Sequence, residues 1–176
     1  METRKISYMG LLIALALVLS YVEAQIPAFV AIPGIKVGLA NIVVVFALYK
    51  FGVREALIIS IFRVLLASLM FGSVLSLAYS ASGAFLSLLG MILLKKIKLF
   101  SCVAVSVVGG VLHNIGQILT ACLVLETNVV VYYLPFLILS GTIAGVVVGL
   151  VAALVLKRLG NADNKAATDN KAAADK

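Results

Sequence analysis

Apolar side chains run almost unbroken through residues 6–22, 37–49, 56–71, 74–94, 101–125 and 132–156, and charged residues gather in the gaps between these runs. A helix that faces water carries a charged outer face. These runs carry none, and most approach the ~20 apolar residues that cross a bilayer. The pattern predicts an all-α, polytopic membrane protein with six transmembrane helices.

The second run departs from this pattern. "IPGIKVGLANIVVVFALYKFG", residues 32–52, opens with a proline, glycines, a lysine and an asparagine. Its apolar part, 37–49, spans 13 residues, about 20 Å of helix against a hydrocarbon core of about 30 Å. The preceding "AQIPAFVAIPGI" is apolar but broken by Pro27 and Pro33. The reading is a broken extracytoplasmic segment that feeds the second helix through Pro33 and Gly34. Irregular backbone at membrane depth is tolerated where protein covers it or where it lines a cavity, and short Gly/Pro-interrupted segments mark transporter sites. Lys36 and Asn41 then either face a ligand or, for Lys36, snorkel to headgroups.

Composition removes the soluble alternative, since 64% of the 176 residues are hydrophobic, 12% are charged and the mean hydropathy is +1.22. The net charge of +7 is not a nucleic-acid signal, because the bases sit at the ends of the apolar runs and in a short tail. Arg4, Lys5, Lys50, Arg54, Lys95, Lys96, Lys98, Lys157 and Arg158 all fall on one side if both termini are cytoplasmic, with Lys36 the one base left outside. Arg4 and Lys5, an apolar core and "VEA" before Gln25 also match a secretory signal. The length of the run, and the Glu23 near its end, favour a retained first helix. From Gly160 the sequence turns to "NADNKAATDNKAAADK", which has no large apolar side chain. The expected organisation is a transmembrane domain over 1–159 and a polar tail over 160–176, disordered or weakly helical. Cys102 and Cys122 fall near opposite ends of one helix, about 30 Å apart, and are read as packing residues rather than a disulfide or metal ligands.

The costly polar residues are few. Arg63 lies midway along the third run, where an arginine costs on the order of 2.5–3.5 kcal/mol on insertion scales. It either ties helices together, through carbonyls or an acid such as Glu23, or meets an anion in a cavity. The fifth run holds "GGVLHNIGQ", with His113, Asn114 and Gln117 on one helical sector and Gly109, Gly110 and Gly116 allowing close approach. These polar groups line a ligand or form a polar core. "FGS" at 71–73 and "YSASG" at 79–83 add hydroxyls, which in membrane helices usually bond their own backbone. Small residues at four-residue spacing, Gly141, Gly145 and Gly149 in the last run and Gly10 with Ala14 in the first, form faces for packing on a partner or within the bundle.

In their order on a chain of this size, "PGIKVGLAN", "FGS" and "HNIGQ" resemble the family described as heptaprenyl diphosphate synthase component I, also called the Gx transporter family. The resemblance covers roughly residues 5–158. That family in turn is similar to the S components of energy-coupling factor (ECF) transporters, six-helix proteins of the bacterial cytoplasmic membrane that capture a vitamin-like compound and associate with a coupling protein and two ATPases. The resemblance therefore implies two functions. Prenyl chain elongation requires Asp-rich clusters that hold Mg²⁺ on a diphosphate, whereas the seven acidic residues here are isolated and three lie in the tail. No nucleophile–base arrangement, phosphate loop or metal motif is visible. The expectation is a substrate-capture subunit without catalytic residues, cofactor or metal, taking a small anionic compound at Glu23, Lys36, Asn41, Arg63, His113, Asn114 and Gln117. The alternatives are a noncatalytic membrane subunit beside a soluble prenyl diphosphate synthase, and a structural partner of a quinone-linked complex.

Overall fold

The computed structural model describes residues 2–25 and 38–174, and its regular elements are all helical. They are α1 (Glu2–Gln25), α2 (Asn41–Lys50), α3 (Val53–Phe71), α4 (Val74–Ile97), α5 (Cys102–Leu125), a 3₁₀ turn (Val129–Tyr133) and α6 (Leu134–Ala174). Four stretches are long and apolar enough to cross a membrane, Lys5–Gln25, Val74–Ile97, Cys102–Leu125 and Val129–Asn161. The six predicted runs thus return as six helices that are not equivalent. α2 is too short, and α3 carries Arg54, Glu55 and Arg63. The helical backbone of α6 continues to Ala174, through the segment expected to be a disordered tail or weak helix, where recurrent alanines supply helix propensity.

Short connections reverse the chain. Between α2 and α3, Phe51 and Gly52 both donate to the Ala47 carbonyl, at 2.9 and 3.1 Å, and Gly52 adopts φ +119°, which a side chain would strain. Ser73 and Ser101 cap α4 and α5, their hydroxyls accepting from the N–H groups of Ser76 and Ala104 at 3.2 Å each. The alternation brings the starts of α1, α3 and α5 and the ends of α2 and α4 to one end of the bundle. With the stretch of α6 around Lys157 and Arg158, that end gathers Lys5, Lys50, Arg54, Lys95, Lys96 and Lys98 as well. There Lys5 ion-pairs with Glu55. Lys95 donates to the Leu48 carbonyl at the end of α2, with its Nζ 5.0 Å from the centroid of the Tyr49 ring, so a cation meets both a helix C-terminus and a π face.

The core forms around α2. Every residue from Val43 to Leu48 is buried, as expected of a short helix that is apolar all round. It packs with Ala16 of α1, Ala56 and Ile59 of α3, Leu88 and Met91 of α4, Val105 of α5, and Val148 and Ala152 of α6. Ten residues make about 15 Å of helix, half the hydrocarbon thickness, so α2 is embedded in protein rather than spanning on its own. Large apolar side chains point outward instead, among them Leu11 and Val18 on α1, Phe85 and Leu93 on α4, and Phe136, Ile143 and Leu154 on α6. A surface this apolar fits contact with lipid.

α4, α5 and α6 approach through their glycines. A Cβ on Gly145 would stand 2.5 Å from Val107 Cα, one on Gly149 2.7 Å from Val103 Cα, and one on Gly141 2.8 Å from Asn114 Nδ2. Gly141, Gly145 and Gly149 therefore face α5 of the same chain, and the partner they serve is internal. On α1 the picture differs: Gly10 has no neighbour within 4 Å of an added Cβ, and Ala14 is exposed.

Candidate functional site

Arg63 is carried on the buried face of α3 with Ser60, Val64 and Ser68, and is only 9% exposed. Its Nε finds no hydrogen-bond partner among the described residues. Glu23, near the end of α1, acts on the guanidinium electrostatically, and the ion pair found among the described residues is Lys5–Glu55 instead. The Glu23 carboxylate is engaged elsewhere, accepting from the N–H of Gly38. Gly38 adopts φ +75°, and its carbonyl accepts from Asn41 N at 2.8 Å. This turn starts α2 in place of a side-chain cap, and its conformation favours the glycine of "KVGLAN". Glu23 thus clamps the turn that aims α2 into the bundle.

α5 contributes the facing wall. Asn114, 5% exposed, donates Nδ2 to the Leu137 carbonyl of α6 at 2.6 Å. The bond fastens α5 to α6. Gly83 of α4 lies against His113 and Gln117, since an added Cβ would stand 2.8 Å from the His113 carbonyl oxygen and 3.1 Å from Gln117 Cγ.

Between these walls lies a partly open cavity of about 110 Å³, lined by all six helices. It holds several waters or one small molecule, given that a single water needs on the order of 10–15 Å³ on this measure. Glu23, Asn41, Arg63, His113 and Asn114 all line it. Gln117 is not in the lining; its stem packs on Gly83. Lys36 lies outside the described residues. Along α4 the lining runs from Ser76 to Met91, about 22 Å at 1.5 Å per residue. The cavity therefore extends from the end of the bundle remote from the bases to well below its middle.

The lining also contains hydroxyls that the sequence reading discounted or passed over: Ser20, Ser68, Ser76, Ser80, Ser87 and Ser106. On α4 a signal was present, because Ser76, Ser80, Gly83 and Ser87 follow four-, three- and four-residue steps that place them on one helical face. The single serines of α1, α3 and α5 carry no such pattern. Among the described residues, no three His, Cys, Asp or Glu side chains gather as a metal site.

Comparisons with curated proteins and with solved structures gave no match. A family model does match, over residues 12–155. That span takes in α2 to α5, the second half of α1 and α6 as far as residue 155, and so every residue named in the cavity wall. The chain, with its multi-pass apolar helices, belongs to the heptaprenyl diphosphate synthase component I family.

Proposed function

We propose that the chain is the membrane-embedded capture subunit, an S component, of an ECF-type transporter, binding a small anionic, vitamin- or cofactor-like compound. The observation that carries this reading is the cavity lined by all six helices around a buried arginine that lacks a hydrogen bond at Nε. Polar groups convergent in a concave, partly apolar pocket are what a binding site needs. An arginine kept in the membrane region against its insertion cost points to a function for its charge.

The second reading rests on the printed family description: a noncatalytic membrane subunit beside a prenyl diphosphate synthase. Purifying the protein with its native partners separates the two. A coupling protein and ATPases support capture, and a prenyl synthase supports the alternative. In either case we place the basic end in the cytoplasm of a bacterial cell, with both termini inside, because positive residues are retained there. Reporter fusions are expected to place Lys96 inside, and an outside position would overturn this orientation.

α1 supplies the docking face in the capture reading. Gly10 and Ala14 are open to the surroundings rather than packed in the bundle, so bulky residues fit there without internal clash. Gly10→Leu with Ala14→Leu is expected to reduce co-purification of the ATPase module while ligand binding persists. Loss of binding together with folding would place the ridge inside the bundle instead.

A further inference from the structure

The helices long enough to cross a bilayer are not held equally. Within the apolar stretch of each, 6% of α1 is buried, against 33% of α4, 33% of α5 and 28% of the stretch containing α6. α4, α5 and α6 interlock backbone to backbone: a Cβ on Gly116 would stand 2.7 Å from the Ser82 carbonyl oxygen of α4, and one on Gly149 2.7 Å from Val103 Cα of α5. α1 packs chiefly on α3, with a smaller contact to α2. Among its described residues Ala16 alone is buried, and Leu12, Ile13 and Leu19 complete its share of the apolar core. A segment with few buried apolar contacts opens at a lower free-energy cost than the core beside it.

Beyond Leu19 no residue of α1 belongs to that core, yet this end of the helix closes the cavity, with Ser20, Glu23 and Ala24 in its lining. Among the described residues two specific contacts hold it there. The Glu23 carboxylate accepts from the N–H of Gly38 at the turn into α2. The Tyr21 ring meets that of Phe71 on α3 with centroids 5.2 Å apart, and both rings lie at the surface, 48% and 40% exposed. At the basic end Lys5 ties α1 to Glu55 at the start of α3. The helix is therefore anchored at its base and lightly fastened at the end that covers the cavity.

We propose that α1 is a movable wall of the cavity: pivoting on Ala16 and the Lys5–Glu55 pair, its far half tilts away from α2 and α3, and the Glu23–Gly38 hydrogen bond is the latch. The tilt follows from the packing. In the capture reading, on which this last step rests, the opening is the ligand's entry, and it takes the Glu23 carboxylate away from Arg63, in the same lining, as an anion arrives.

The test uses the full chain, native cysteines retained, in lipid nanodiscs, with a reporter thiol introduced by Ser68→Cys at a cavity-lining position of α3 that is 8% exposed. Modification by N-ethylmaleimide is followed at residue 68 by mass spectrometry and proceeds through the open state. Glu23→Ala, which removes the latch, is expected to raise the rate about ten-fold, the effect of losing one hydrogen bond to a charged group. Glu23→Gln, which keeps an acceptor, should raise it less, and it takes the place of the alanine variant if that does not fold. Tyr21→Ala leaves the latch in place but removes the ring contact, and should raise the rate about three-fold. Ser82→Ala removes a hydrogen bond from α4 to the Gly116 carbonyl of α5 and should leave the rate unaltered. An unchanged rate in the Glu23 variant overturns the proposal. So does a rise confined to that variant with Tyr21→Ala unchanged, since the turn at Gly38 would then be what opens. An equal rise in Ser82→Ala marks a general loosening of the bundle and overturns it too. None of these results touches the capture reading, which the co-purified partners decide.

Discussion

Leucine in place of Gly145 is expected to destabilise the bundle by about 3 kcal/mol, the top of the usual range for overpacking. An added Cβ alone would stand 2.5 Å from Val107 Cα and 2.9 Å from the Ser106 carbonyl oxygen. These are backbone atoms of α5, and they cannot swing aside as a flexible side chain would. Relief requires α5 and α6 to separate along the ridge that also holds Gly141 and Gly149. Separation would loosen the Asn114–Leu137 hydrogen bond and open the cavity wall. Equilibrium unfolding of the purified variant measures the effect. Gly10→Leu, at a site with nothing within 4 Å of the new Cβ, serves as the comparison and is expected to change stability by no more than about 0.5 kcal/mol. Equal stability of the two variants would show that the glycine ridge of α6 does not face α5.

Alanine at Arg63 is expected to weaken binding of the captured compound by about 1.5–3 kcal/mol, the range for hydrogen bonds to a charged group. That corresponds to a roughly ten- to hundred-fold rise in Kd. The compound itself is identified by mass spectrometry of the purified protein, and Kd is then measured on folded variants. Lys36→Ala is expected to act in the same direction, from the segment preceding Gly38. Lys96→Ala removes an exposed charge at the basic end and should leave Kd unaltered. The arginine's other possible role gives a different signature, because unchanged affinity with a lowered unfolding midpoint would make Arg63 a tie between helices. Against that role, the described residues supply Nε with no hydrogen bond, and the ion pair found among them is Lys5–Glu55.

The polar residues of the site were legible to different degrees. Arg63, His113 and Asn114 stand out in any apolar run, because hydrocarbon makes each of them costly, and all three line the cavity. Gln117 was grouped with them by its four-residue spacing from His113, yet its stem packs on Gly83. Spacing defines a helical sector, and a sector on α5 is wide enough to face both the cavity and a neighbouring helix. Serines lie at the other extreme. They cost little in a membrane helix because the local backbone can satisfy them, so sequence cannot distinguish Ser82, bonded to Tyr79, from Ser106, bonded to nothing among the described residues.

What the sequence determined by itself is the membrane class, the helical runs and the sorting of bases. Each follows from local quantities: apolar length against bilayer thickness, and the position of lysine and arginine relative to the apolar ends. It also marked residues 32–41 as unusual; Pro33 and Gly34, read as feeding the second helix, lie outside the described residues, and the glycine found in the turn before α2 is Gly38. Only the tertiary structure decided that α2 is a buried plug rather than a span of its own, that the ridge of Gly141, Gly145 and Gly149 is spent on α5, and that Glu23 clamps a turn rather than ion-pairing with Arg63. These are questions of which face meets which neighbour. An apolar or small-residue face is equally suited to lipid, to another helix or to another protein, so the choice among them rests on how six helices pack together.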